Sequence, residues 1–373
     1  MDERNTICYI SAENYLDTDT PIIKHINDYY RLSWFVVFAK TISRYSEKDI
    51  KIYSEKNRID TTILKLLYRF RDPRIILQYV SLLRRVKKIK PDVIYINMSG
   101  IPYFFFVVLF LLDRKKVVYA IHDVVEHVKM EKRNYLKIYH LFIYSIIKYF
   151  HIYSKIQKEI FDNKYPQKHT FYAPFYLKDF GPTQAVPPKN IVNFLFFGAI
   201  VEHKGLELLI RVGNKLAKYH PGKFIITIAG NCKNWSKYEL LIHDQTIFKK
   251  IIKVVPNEDI PTLFGQAHYL ILPYLDVTQS GPLLIAYNYK VPAIASNHPG
   301  FREYIQHEYD GYLFEPGNDE SLYTILNNII ISSNNGYDSI KNNLAKFVDN
   351  NISLENILAK YQVMFDTIMA DGR

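Results

Sequence analysis

Leu272-Pro273-Tyr274-Leu275-Asp276-Val277-Thr278-Gln279-Ser280-Gly281-Pro282-Leu283-Leu284 runs on through apolar residues to Lys290-Val291-Pro292-Ala293-Ile294-Ala295-Ser296-Asn297. The order reads strand, small polar loop with glycine, helix, second strand. A polar loop ahead of a helix offers free backbone N–H groups and the positive end of the helix dipole, which suits an anion such as a diphosphate. Thr278, Gln279 and Ser280 carry donors for phosphate or sugar oxygens. Ser280 also has the plainer role of capping the helix that Gly281 and Pro282 open, and the two roles are compatible.

Upstream, the same pattern recurs. Phe196-Phe197-Gly198-Ala199-Ile200-Val201-Glu202-His203-Lys204-Gly205 leaves a strand at 192–197 and enters a helix at 206–219. Gly198 permits close backbone approach. Lys204 stands near the helix start, where the dipole disfavours a cation and a bound anion would offset it. A solvated lysine in an ordinary loop is the other reading. Strands at 224–229, 251–255, 269–272, 293–296 and 311–314 alternate with helices at 236–249, 258–266, 282–288 and 320–332, and a helix at 354–369 closes the chain.

The first half reads as another such series. It has strands at 6–11, 93–97, 115–121 and 151–154, and helices at 27–43, 71–90, 101–112 and 135–148. Alternation of this kind predicts parallel sheets with helices on both faces. Pro174, Pro182, Pro187 and Pro188 mark a linker region. The expected organisation is a first domain over 1–180, a linker over 181–190, a second domain over 191–350, and a helix within 351–373 crossing back to the first. The fold class is α/β, with two Rossmann-like doubly wound domains facing a central cleft, where ligands bind at the carboxyl ends of the strands.

Composition narrows the function. The chain has 373 residues, 48% of them apolar, enough for two cores. Cys8 and Cys232 are too few for a disulfide framework or a zinc site, and a reducing cytoplasm fits. The polar N-terminus lacks a basic-then-apolar leader. The apolar run at 101–112 is too short to span a bilayer, so it reads as a buried helix or a membrane-dipping one. Residues 1–180 hold 31 Lys/Arg against 19 Asp/Glu, a net of +12, and the remainder nets −1. Glycine divides the other way, with 13 of 14 after residue 180. The basic tail Arg84, Arg85, Lys87, Lys88 and Lys90 admits three readings: a solvated helix end, a contact with an acceptor or anionic membrane surface, or nucleic acid. No nucleic-acid motif accompanies it, so nucleic acid is not an expected partner. His122-Asp123 ends a first-domain strand, where a histidine beside a carboxylate suits hydrogen bonding to a sugar or leaving-group oxygen. A structural histidine at a strand end is the other reading.

Taken together, Phe197-Gly198 to Lys204-Gly205, Ile228-Ala229-Gly230, Leu272-Pro273-Tyr274, Thr278-Gln279-Ser280-Gly281, Val291-Pro292-Ala293-Ile294-Ala295-Ser296 and Asp310-Gly311-Tyr312-Leu313-Phe314-Glu315-Pro316-Gly317 resemble glycosyltransferase family 4, of the GT-B fold. The first domain is similar more weakly, through Pro91-Asp92-Val93 and His122-Asp123. The resemblance implies a retaining, metal-independent transfer of a sugar from a nucleotide-diphosphate donor, with no cofactor. It places His122 and Lys204 in catalysis, Lys204 on the diphosphate. It places Gly198, Gly230, Asp276, Thr278, Gln279, Ser280, Gly281 and Pro282 around the donor. The implied acceptor is a glycan or lipid-linked intermediate of bacterial surface polysaccharide, met at the inner face of the cytoplasmic membrane. The chain departs from the family at Ala199, where an Arg is usual, and at Ile285, where a Glu is usual. A non-catalytic binding partner and a sugar-nucleotide epimerase are the alternatives.

Overall fold

The structure is a computed structural model, and it describes residues 4–39, 45–68, 72–98, 103–124, 134–277, 279–332 and 335–372. Thr278 lies outside these residues, as do the first two positions of the expected 101–112 helix. The chain divides into two compact units, one of residues 1–176 with 354–373, the other of 177–353.

In the first unit, strands β1 (Thr6–Ala12), β2 (Arg31–Phe38), β3 (Asp60–Lys65), β4 (Val93–Asn97), β5 (Val117–Ile121), β6 (Tyr149–Ile152) and β7 (His169–Tyr172) pair in parallel. Their order is β3-β2-β1-β4-β5-β6-β7, so the winding reverses between β1 and β4. Cys8, Ile10, Ile94 and Ile96 face a core shared with Tyr79, Leu83, Phe104, Ile143 and Phe161. Tyr9 and Tyr95 stack on the opposite face, where Tyr361 and Phe365 of the last helix, Leu354–Asp371, pack against Tyr95.

In the second unit, β8 (Val192–Phe197), β9 (Phe224–Ala229), β10 (Phe248–Ile251), β11 (Tyr269–Leu272), β12 (Ala293–Ser296) and β13 (Tyr312–Phe314) form another parallel sheet. Its order, β10-β9-β8-β11-β12-β13, reverses between β8 and β11. The helix Leu206–Tyr219 buries Leu206, Leu209, Ile210 and Leu216 in this unit's core and leaves its other face to solvent.

Local expectations fail in two stretches. The segment 27–43 reads as helix, but the helix is Leu16–Tyr29 and β2 follows at once. Every residue from Leu32 to Phe38 is buried, because helices cover both faces of a parallel sheet. A continuous apolar run then carries no period of two and is easily taken for a buried helix. Likewise the helix expected at 236–249 stops at Glu239, and the strand expected at 251–255 is β10, three residues earlier.

Candidate functional site

Both conspicuous polar clusters form where the strand order reverses, at carboxyl strand ends. That is where open parallel sheets leave room for ligands. In the second unit, Gly198 follows β8 with φ +111°, a backbone conformation favouring glycine. A Cβ there would sit 3.1 Å from Lys204 Nζ and 3.4 Å from Pro282 Cγ. Three residues from two separate loops therefore converge on one point.

Those loops are locked together by backbone. Leu275 N donates to the His203 carbonyl at 2.7 Å, and a Cβ on Gly205 would lie 1.9 Å from the Pro273 carbonyl oxygen. Beyond β12, Ser296 Oγ and His298 Nε2 both donate to the Tyr274 carbonyl, at 2.7 and 3.0 Å. Gly230 lies behind Gly198: a Cβ there would come within 1.8 Å of the Gly198 oxygen. It sets the position of the Gly198 turn by close approach.

Lys204 is half-buried, and its ammonium lies 5.4 Å from the centroid of the Tyr274 ring. Among the described residues it has no ion-pair partner. Burial pushes it down to about 8 from the ordinary 10.5. A cation held this way is destabilised until an anion arrives.

The helix Gly281–Asn288 starts beside it. Ser280 Oγ accepts from Leu283 N at 3.4 Å, and Pro282 fills the first turn without an N–H to satisfy. Gln279 Nε2 is buried without a hydrogen-bond partner among the described residues. An unpaired buried amide is costly, and a ligand oxygen would satisfy it. Asp276 is half-buried on the same loop and has partners of its own. Sequence reasoning missed Lys178, whose Nζ lies 3.5 Å from where a Gly281 Cβ would be. It lies between Pro174 and Pro182, just ahead of the expected linker, and no local pattern points to it.

The first unit's cluster is built around His122, just after β5. Its Nε2 lies 2.7 Å from Asn97 Oδ1, and its ring stacks on Tyr15 at 3.9 Å. Asn97 Nδ2 in turn donates to Asp19 Oδ1 at 2.7 Å, as does the Tyr9 hydroxyl at 2.7 Å. With the Asn97 amide nitrogen committed to Asp19, its oxygen accepts from His122, which fixes the proton on Nε2. This bond reaches the ring from a residue 25 positions earlier in the chain.

Burial raises the Asp19 carboxyl to about 7, against the hydrogen bonds from Ser11, Tyr9 and Asn97, which hold it down. The folded chain thus holds a proton that the unfolded chain releases near 3.8, and this contribution to stability is lost as pH climbs from there through about 7. Asn97→Ala is expected to lower stability by about 1–3 kcal/mol and to push Asp19 higher still. Nitrogen NMR of the His122 imidazole checks it: mixed tautomers are expected, and an unchanged Nε2–H form would remove Asn97 from this role.

The basic residues Arg84, Arg85, Lys87, Lys88 and Lys90 are exposed, on and just past the helix Ile75–Ile89. They lie at the end of a helix whose dipole favours cations, just ahead of β4 rather than at the carboxyl strand ends of the first unit. Among the described residues, no group of three or more His, Cys, Asp or Glu is placed to hold a metal.

Residues 182–347 match the model of the family described as glycosyl transferases group 1. An uncharacterized glycosyltransferase of Methanocaldococcus jannaschii is 26% identical over 167 residues, which span 44% of this chain and 42% of that protein. The fold is similar to the crystal structure of a glycosyltransferase from Rickettsia africae, with TM-score 0.75 and 17% identity over 98% of this chain and 99% of that one. It is also similar to Anabaena HepE in complex with UDP and glucose, with TM-score 0.72 and 15% identity over 97% and 100%. The two parallel Rossmann-like sheets thus have GT-B neighbours, and the family match supports a group 1 glycosyltransferase.

Proposed function

We propose, from the group 1 match over 182–347 and the half-buried Lys204 at the sheet's reversal point, that this protein transfers a sugar from a nucleotide-diphosphate donor. Lys204 carries the reading. A half-buried cation with no carboxylate partner among the described residues, beside a helix start and an unsatisfied Gln279 amide, suits a diphosphate. HepE, with its bound UDP, supports the donor class.

The reaction is a hexosyl transfer with retention and without a metal. The bond between the sugar's anomeric carbon and the diphosphate oxygen breaks, and the acceptor oxygen bonds to that carbon from the same face. The acceptor's proton passes to the departing phosphate oxygen. Catalysis is then positioning plus stabilisation of charge on the leaving diphosphate by Lys204 and the Gly281–Asn288 helix start. Gly198, Pro282 and Gly230 shape the cradle, and Asp276, Thr278, Gln279 and Ser280 contact donor oxygens. His122 is the first-unit residue we assign to the reacting sugar. The acceptor is a glycan or lipid-linked intermediate in bacterial polysaccharide assembly at the inner membrane face, a reading supported by the net charge of +12 on residues 1–180.

Titration calorimetry with UDP, GDP and dTDP, followed by transfer assays with the matching sugar nucleotides and membrane extract, tests this. Binding of one nucleotide and turnover of its sugar are expected. A chain that binds none of the three and transfers nothing overturns the proposal. Interconversion of a free sugar nucleotide without acceptor would replace transfer with epimerisation.

A further inference from the structure

Three helices of the first unit, Ile75–Ile89, Phe104–Leu111 and Asn134–Ile146, lie side by side over one face of its sheet. Tyr79 packs edge-on against Phe104, and Phe106 stacks on Phe142 at 4.6 Å. None of the three contains an Asp or Glu. Their inner residues fill the core already described. Their outer residues make an apolar strip: Phe106 and Phe110 one turn apart, then Ile138 and Leu141. Phe110 is 78% exposed and Ile138 68% exposed. The helix Phe104–Leu111 is apolar on every side, a composition that normally means protein all round. Here one side meets water.

Cations rim the strip. Leu77, Ser81, Arg84 and Lys88 recur at helical spacing on the exposed side of the first helix. Arg114 and Lys115 follow the second helix, and Lys116 Nζ donates to the Pro91 carbonyl at 3.1 Å, which ties that end to the turn following the first helix. Arg84, Arg85, Lys87, Lys88, Arg114 and Lys115 are exposed and have no ion-pair partner among the described residues. The helix dipole accounts for cations at one helix end. It does not account for three neighbouring helices without an acid, nor for the aromatic strip between them.

We propose that this outer helix layer docks the protein on an anionic lipid bilayer. Phe106, Phe110, Ile138 and Leu141 enter the headgroup region, and Arg84, Lys88, Arg114 and Lys115 meet lipid phosphates. No described helix is long and apolar enough to cross a membrane, so the chain lies on the surface through this face. The proposal deepens the lipid-linked acceptor reading, yet its evidence is confined to the first unit and is independent of donor binding.

Flotation of the full chain with phosphatidylcholine vesicles, with and without phosphatidylglycerol, tests it. Wild type is expected to float only with the anionic vesicles, and less so as salt rises. Phe106→Ser/Phe110→Ser is expected to weaken binding about tenfold or more. Arg84→Gln/Lys88→Gln is expected to weaken it about tenfold and flatten the salt dependence. Both pairs are exposed, and unchanged circular dichroism melting confirms folding. A wild type that ignores anionic vesicles, or a serine variant that floats like wild type, overturns the proposal. So does a dimer broken by the serine pair in a chain that binds no vesicles, which would assign the face to a second copy. Flotation that persists in a chain unable to bind nucleotide upholds it and removes only the donor reading.

Discussion

Lys204→Met is expected to raise the melting temperature of the ligand-free protein while reducing nucleotide affinity and transfer at least tenfold. The two effects have one cause. Burial lowers the Lys204 ammonium from 10.5 to about 8, so below pH 8 the fold carries a charge it would rather release. That drop sets an upper figure of about 3 kcal/mol, and solvent screening brings the expected gain to about 1–2 kcal/mol. For a unit of this size, that is a rise of about 2–8 °C. The sign of the pH dependence follows. The folded chain binds fewer protons than the unfolded chain between about 8 and 10.5, so wild-type stability rises across that window and the methionine variant loses that rise.

Nucleotide binding runs the other way. An anion favours the charged lysine, so binding above pH 8 takes up a proton, and wild-type affinity falls by up to about tenfold per pH unit there. Calorimetry at pH 7 and pH 9, values chosen to bracket about 8, checks both chains. A methionine variant that melts no higher and binds UDP as wild type does would sink the diphosphate role of Lys204.

Gly230→Ala is expected to cost about 3 kcal/mol or more and to impair nucleotide binding, although Gly230 offers no group to a ligand. Its Cβ would sit 1.8 Å from the Gly198 oxygen and 2.7 Å from the Gly198 carbon. Backbone on both sides must then move. The turn that moves is the one holding Gly198 within reach of Lys204 and Pro282. Gly222→Ala is the control. Its φ is +70°, with nothing within 4 Å of a new Cβ, so only the left-handed backbone penalty applies, about 1 kcal/mol. Urea unfolding and UDP titration of both variants separate the cases. Equal losses in the two, or a Gly230 variant as stable as wild type, would mean the close approach relaxes freely.

Much of the second unit was legible in the sequence because its signals are local. Strands 269–272 and 293–296 lie where their short apolar runs put them. Gly198, Lys204 and the Gly281 helix start could be paired with strand ends by position alone. The first unit was harder to read. In β2 the burial of both faces erased the alternation that marks a strand. The hydrogen bond from His122 to Asn97 joins residues 25 positions apart, and sequence offers only neighbours.

The amino-acid sequence by itself determined the α/β alternation, the family resemblance, the one-sided basic charge and a loop fit for an anion. These depend on residue types within a turn or two of one another. The tertiary structure decided which of those residues meet. It brought Lys178 to the helix start, set Gly230 behind Gly198, joined Asp19 to Asn97 across 78 residues, and laid Phe106, Phe110, Ile138 and Leu141 on one outer face. The physical reason is strand order. Where a parallel sheet reverses its winding, loops remote in sequence end at the same edge, and no periodicity along the chain encodes which loops those are.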